Sequence, residues 1–293
     1  MKATLALFIA LLLTPLAGLL ADDSPKSTAP AFTKGNRVRV FVLTGQSNSL
    51  GTTADPDEKD ITPGVDPLDA QIPFFWSNRS TRVVSDSSTI FGLYGDSGGK
   101  IVTLQVQQGF KKSPMFWGPE FGFARTLASS GLKDFMIVKA TRGGGGNSYW
   151  LKGHTDDHMY RHVVDTVRTA VQQLPTGTEF DIVGLLYLQG ESDDAAEADA
   201  SGERLQMLAA NLRKDLPNAA AMKVLIGGIV VSGKTQDVVR TQQSALPKLD
   251  PSFRYLDNLE WKPRRYDGAH YDKPAKLELG QRMGKAWLEW VKP

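Results

Sequence analysis

Ser47 stands just past the apolar run Val38 to Thr44, inside Thr44-Gly45-Gln46-Ser47-Asn48-Ser49. A serine on a tight turn at a strand end exposes its hydroxyl, and the backbone N–H groups around it can face a developing oxyanion. The same letters also cap helices well, so this segment alone leaves both uses open. It is not a G-x-S-x-G elbow, because Ser49 stands where that pattern needs glycine. A second segment, Arg142-Gly143-Gly144-Gly145-Gly146-Asn147, lets a ligand approach backbone N–H donors closely. A phosphate loop would continue Gly-Lys-Ser/Thr, which is absent, and a plain flexible loop is the other reading. In Gln189-Gly190-Glu191-Ser192-Asp193, a buried Gln189 amide can donate to an oxyanion, while Glu191 can orient a neighbour or cap a helix. Last comes Asp267-Gly268-Ala269-His270-Tyr271-Asp272. An Asp and a His three apart on one turn can serve one site: the imidazole takes a serine proton, and the carboxylate fixes its tautomer. Asp272 competes with Asp267 for that role, and a hydrogen-bonded turn histidine is the plain alternative.

All four segments follow apolar runs that read as core strands: Val38 to Thr44, Phe135 to Ala140, Ile182 to Leu188 and, further on, Val224 to Val231 and Phe253 to Leu256. Helical patterns lie between them. Pro119 opens one and Gly131 closes it; a second runs from about Thr155 to Gln173. A third carries Leu205, Leu208 and Leu212, and the last runs from about Pro274 to Val291. Strands alternating with helices predict an α/β fold, a three-layer α/β/α sandwich around a parallel sheet of about five strands. In such sheets the ligand site lies beyond the carboxyl ends of the strands, where all four segments fall. Asp55 to Phe116 fits the alternation poorly and reads as an inserted loop and hairpin region, with strand-like pieces at Ile72 to Trp76 and Ile101 to Gln105.

Taken together, these blocks resemble the SGNH hydrolase superfamily, in particular its sialate O-acetylesterase and family 6 carbohydrate esterase (acetyl xylan esterase) branch. The resemblance rests on Gly45-Gln46-Ser47-Asn48, on Gly143-Gly144 with Trp150 following, on Gln189-Gly190-Glu191-Ser192 and on Asp267-Gly268-Ala269-His270. Trp117-Gly118-Pro119-Glu120 also looks familial, and the likeness spans about Arg37 to Trp290. It implies a serine esterase acting on O-acetylated carbohydrate, such as xylan or sialic acid, without cofactor or metal. Ser47 would be the nucleophile, His270 the base and Asp267 its partner. The oxyanion hole would comprise the N–H of Ser47, that of Gly143 or Gly144, and the Gln189 side chain. Gln46, Asn48 and Glu191 would support the site. Arg142 stands before the glycines, where it could hold an acidic group of the substrate or pair with Glu191. The run of four glycines and Asn147 departs from the usual Gly-Gly-Thr or Gly-Gly-Arg. Two other readings stay open: an esterase for small or lipid acyl groups, and a carbohydrate-binding protein on the same scaffold.

The chain of 293 residues has a net charge of +2 and no long basic run, which gives no electrostatic case for nucleic acid. It has no cysteine, which excludes disulfides, zinc–thiolate sites and a cysteine nucleophile. Lys2, the apolar run to Leu13 and Ala21 before Asp22-Asp23 describe a secretory signal peptide over residues 1–21. The run is shorter than the ~20 apolar residues of a spanning helix. A flexible leader over 22–36 would follow, then the esterase domain over 37–293, secreted or periplasmic and free of the membrane once the signal is cut. His154, His158 and His162, with Asp156 and Asp157, tempt a metal reading, but H-E-x-x-H is absent and a solvated helix face explains them. Asn78-Arg79-Ser80 is a glycosylation sequon. Trp76, Trp117, Tyr149, Trp150 and Trp261 are candidate sugar-stacking aromatics, though aromatics more often build cores.

Overall fold

The computed structural model describes residues 32–33, 35–79, 93–154 and 158–292. Residues 1–21, read as a signal peptide, lie outside that set, as does the leader up to Ala31. The leader's last residues are docked: Phe32 packs on the core, and the Thr33 N–H and Asn36 amide both donate to Asp134.

In chain order the elements are β1 (Val38–Gly45), α1 (Ser47–Leu50), β2 (Pro73–Arg79), β3 (Leu93–Asp96), β4 (Val102–Thr103), β5 (Gln107–Phe110) and β6 (Ser113–Phe116). Then come α2 (Glu120–Ser129), β7 (Phe135–Arg142), α3 (His158–Gln172), β8 (Phe180–Leu188), α4 (Ala195–Asp199) and α5 (Ser201–Asp215). The chain finishes with β9 (Lys223–Gly227), α6 (Lys234–Leu249), β10 (Phe253–Leu256) and α7 (Lys273–Trp290).

One sheet runs β10-β9-β8-β1-β7-β2-β3, with β4 also on β2. Every neighbour pair from β10 to β2 is parallel. Both faces of a parallel sheet are covered, so its strands read as unbroken apolar runs. On β1 the alternation sorts the two faces. Val38, Val40 and Val42 join Met136 and Val138 under α3 and α5, meeting Val163, Val167, Leu205 and Leu208. Phe41 and Leu43 turn the other way, toward α2 and α7. There Phe41 meets Phe123 and Trp287 edge-on, with ring centroids 5.2 and 5.0 Å apart. These are the three α/β/α layers the sequence predicts.

Two differences matter. The parallel sheet has six strands, because β2 pairs in parallel with β7 instead of belonging to an inserted hairpin. Phe74, Phe75 and Trp76 are all buried, as a two-faced core strand requires. Pro73 opens the strand, where a missing N–H is tolerated. The expected antiparallel partner is nonetheless present: Pro73 and Phe74 pair with Thr103 and Val102 on β4. The other difference is α6, which the sequence reading leaves out. It buries only a narrow stripe, Val239, Arg240, Gln243 and Leu246, and carries Pro247 in its last turn.

Candidate active site

β1 delivers the chain to Gln46, and α1 then makes a single turn beginning at Ser47. The Ser47 and Asn48 N–H groups open this helix, so neither has an acceptor within it. Gly51 ends it in the left-handed conformation, φ 82°, and its N–H closes on the Ser47 carbonyl at 2.8 Å. A Cβ at Gly51 would lie 1.9 Å from the Trp117 carbonyl oxygen, so only glycine lets the Trp117–Glu120 segment brace the turn this closely. Asn48, Ser49 and Leu50 are buried, while Ser47 is partly exposed on the wall of a cavity of about 400 Å³.

His270 lines the same cavity, from the loop that precedes α7. Asp267 shapes this loop by accepting the N–H groups of Ala269 and His270 on one carboxylate oxygen, at 3.0 and 2.8 Å. Its other oxygen lies 2.6 Å from His270 Nδ1. An ionised carboxylate there calls for a proton on Nδ1 and leaves Nε2 the basic nitrogen. Burial opposes the Asp267 charge, but the His270 and Ala269 N–H groups and the imidazole outweigh it and hold the carboxyl below its ordinary range. The Tyr266 ring stacks on His270, 5.8 Å between centroids and 24° from parallel. Asp272 takes no part: it caps α7 by accepting the Ala275 N–H at 2.9 Å and pairs with Arg264.

Asn48 ties three strand-end loops together. Its amide donates to Glu191 Oε1 at 2.8 Å and to the Ala269 carbonyl at 3.2 Å, and its oxygen accepts the Tyr271 N–H at 3.2 Å. Burial pushes the Glu191 carboxyl up, against the pull of the Asn48 hydrogen bond and of His270. Glu191 Oε2 and Gln46 Oε1 are buried with no hydrogen-bond partner among the described residues.

Of the four glycines, Gly143 and Gly144 lie on the cavity wall. Gly145 packs beneath the Tyr149 ring, and Gly146 against the Glu197 carboxylate. The Gln189 side chain does not reach the cavity, contrary to the role expected for it. It is fully buried, donating to Asp193 at 2.5 Å and to the Gly145 carbonyl at 3.5 Å while accepting from the Tyr187 hydroxyl at 3.0 Å. Its amide therefore holds the glycine loop in place from below. Asp193, given no role from sequence, also accepts from Asn147; burial lifts its pKa to about 6. Arg142 does not line the cavity and does not pair with Glu191. It is buried, 4.2 Å from the Tyr149 ring centre, with a guanidinium nitrogen 2.6 Å from His158 Nε2.

Sequence reasoning also missed a buried charge network behind the Ser47 turn. Lys139, in the middle of β7, donates to the Leu50 carbonyl, Gln107 Oε1 and Glu120 Oε1 at 2.9, 2.8 and 2.8 Å. Burial pushes the Lys139 pKa down and Glu120 beside it pulls back. A charged letter inside the apolar run Phe135 to Ala140 was the available signal. Trp117 and Trp150 are core residues, with the Trp150 N–H bonded to Thr44 Oγ1 behind β1. Asn78 of the sequon is fully buried and accepts from Thr141, so the folded chain has no room for a glycan there; Ser80 lies outside the described residues. His162 is buried against the Ser77 carbonyl, and burial drives its pKa down to about 3. No group of three metal-ligating side chains occurs among the described residues, which do not include Asp156 and Asp157.

The model of one protein family, described as carbohydrate esterase, sialic acid-specific acetylesterase, matches residues 37–289. The chain belongs to this family. It is accordingly a carbohydrate O-acetylesterase. No curated protein sequence matches it significantly. Its fold is similar to that of an Arabidopsis thaliana protein at TM-score 0.62 and 23% identity, over 87% of this chain and 99% of that one. It is similar, too, to a carbohydrate acetylesterase from Xanthomonas citri, at TM-score 0.55 and 18% identity, over 85% of this chain and 55% of that one. NanS follows at TM-score 0.52 and 14% identity, over 90% and 98%. At these identities the likeness speaks for the fold. None of the described helices is long and apolar enough to cross a membrane.

Proposed function

We propose that this esterase is a secreted enzyme that removes O-acetyl groups from acetylated polysaccharide such as xylan, or from sialic acid, through an acetyl-Ser47 intermediate. The observation that carries the reading is that His270, with Asp267 2.6 Å from its Nδ1, lines the same cavity as Ser47. Ser47 Oγ attacks the acetyl carbonyl as His270 Nε2 takes the hydroxyl proton, and Asp267 steadies the imidazolium. The tetrahedral oxyanion is met by the N–H of Ser47 and by that of Gly143 or Gly144; losing one such donor costs ~3 kcal/mol of barrier. The sugar oxygen leaves with the proton from His270. Water, deprotonated by the same nitrogen, then releases acetate and restores Ser47. Export rests on the N-terminal pattern of residues 1–21. The test is acetate release from acetylated xylan and from O-acetyl sialic acid by wild type and by Ser47→Ala. Release that disappears in the variant supports the mechanism. A folded Ser47→Ala protein that keeps its rate refutes it.

A further inference from the structure

An acetyl group fills only a small part of a cavity of about 400 Å³. Something else must occupy the rest when an ester is seated at Ser47, and the walls say what chemistry it has. Two aromatic side chains, Tyr94 of β3 and Phe110 of β5, line this cavity together with Ser47 and His270. Their rings stack 5.4 Å apart and 19° from parallel. Phe116 backs them both, with centroids 4.9 Å from Tyr94 and 5.8 Å from Phe110, and is itself fully buried. Phe110 is 41% exposed, the one aromatic among the large exposed apolar side chains of the described residues. An exposed phenylalanine forgoes the stabilisation that burial would supply. A ligand that covers the ring restores it.

The hairpin of β5 and β6 holds Phe110 in this position. Thr53 binds it twice, through its N–H to Ser113 Oγ at 2.7 Å and through its hydroxyl to the Met115 carbonyl at 2.6 Å. Gln107 anchors the other strand to Lys139 and Glu120, the groups that also hold the end of α1. β3 lies close against this hairpin, because a Cβ at Gly95 would come within 3.0 Å of Gln108 Oε1 and 3.2 Å of Trp76. The aromatic wall and the nucleophile turn are thus fastened to one buried network, with a fixed spacing between them.

We propose that the stacked Tyr94–Phe110 pair is the sugar-binding wall of this esterase, packing against the apolar C–H face of a pyranose ring and so presenting its O-acetyl group to Ser47. A pyranose ring is amphipathic: hydroxyls lie around its edge and C–H groups across its face, which suits an aromatic surface. Neutral polar groups such as Gln46, Thr52 and Ser192 line the cavity elsewhere and suit that hydroxyl edge. The inference rests on the esterase reading above and adds the residues that select the leaving group.

The test compares kcat/KM for acetylated xylo-oligosaccharide and 9-O-acetyl-N-acetylneuraminic acid with that for ethyl acetate, which has no ring. Phe110→Ala and Phe110→Leu should each lower the sugar-to-ethyl-acetate ratio about tenfold, with the loss in KM for the sugar. Phe110→Trp should restore it. Phe110 is exposed, so melting temperatures should agree and rule out a folding defect. Unchanged ratios in both variants overturn the wall. If wild type hydrolyses no ester, the esterase reading fails separately. The wall is then judged by calorimetric binding of xylotriose and of N-acetylneuraminic acid to wild type and Phe110→Ala. Weaker binding in the variant upholds it, and equal or absent binding overturns it.

Discussion

Lys139→Met tests the buried network behind the Ser47 turn. Lys139 and Glu120 have fully buried side chains, and their charged atoms lie 2.8 Å apart. Methionine replaces most of the stem but none of the charge. Glu120 would be left buried without its cation, which costs about 3–5 kcal/mol when a pair is broken from one side. The Leu50 carbonyl and Gln107 Oε1 would each lose a donor, adding up to about 1 kcal/mol apiece after relaxation. A loss of about 3–7 kcal/mol is expected, read from urea unfolding midpoints at constant slope. Adding Glu120→Gln removes the stranded charge and keeps an acceptor for the Gly118 N–H and the Gln107 amide. The double variant should therefore regain at least about 2 kcal/mol over Lys139→Met. Esterase activity should fall further than stability explains, because the Leu50 carbonyl ends α1. A single-variant loss under ~1 kcal/mol, or a double variant no more stable than Lys139→Met, would refute the assignment of an obligatory ion pair.

Two further outcomes are expected. Asp267→Asn should lower kcat by ~10³–10⁴ with little change in KM or melting temperature, since Asn can still accept the two loop N–H groups; a loss under tenfold would shift the orienting role to Glu191. Burial pushes the Lys276 pKa down to about 7, although Glu120, Asp272 and Asp55 draw it up. The folded chain then gives up this proton near pH 7 while the unfolded chain keeps it to about pH 10. Stability should therefore rise across that window, by at most about 4 kcal/mol, because the contacts of Lys276 with the Thr52 carbonyl and the Trp117 face favour the charged form. Lys276→Met should abolish that rise in urea titrations from pH 6 to 10, and an unaltered slope would count against the depressed lysine.

The apolar runs made five of the six parallel strands legible, and the rule that sites lie past strand ends brought Ser47, Gly143, Gly144, Glu191 and His270 to one cavity. The misreadings have physical causes. β2 is an aromatic run set among loop-forming residues, and its burial on both faces depends on a neighbour, β7, more than fifty residues away. Gln189 and Arg142 are polar letters beside a site, and whether such a side chain turns toward ligand or inward is decided by partners such as Asp193 and His158 that lie on other elements. Asp267 and Asp272 could not be separated by spacing alone; the cap that Asp272 provides for α7 distinguishes them. The Tyr94–Phe110 stack was invisible because the two rings come from different strands and neither belongs to a recurring motif.

The Asn48 hydrogen bonds have a consequence for the order in which the molecule becomes active. They join residues 221 and 223 positions apart, to Ala269 and Tyr271. During synthesis the Ser47 turn emerges long before the loop that carries His270. A chain that has not yet released that loop holds Ser47 but no His270, and Asn48 lacks its Ala269 and Tyr271 partners. The clasp is thus among the most non-local contacts at the site, the kind whose loop closure must come before any gain from the contact. On the proposed mechanism, hydrolytic competence therefore waits until the His270 loop has joined the fold.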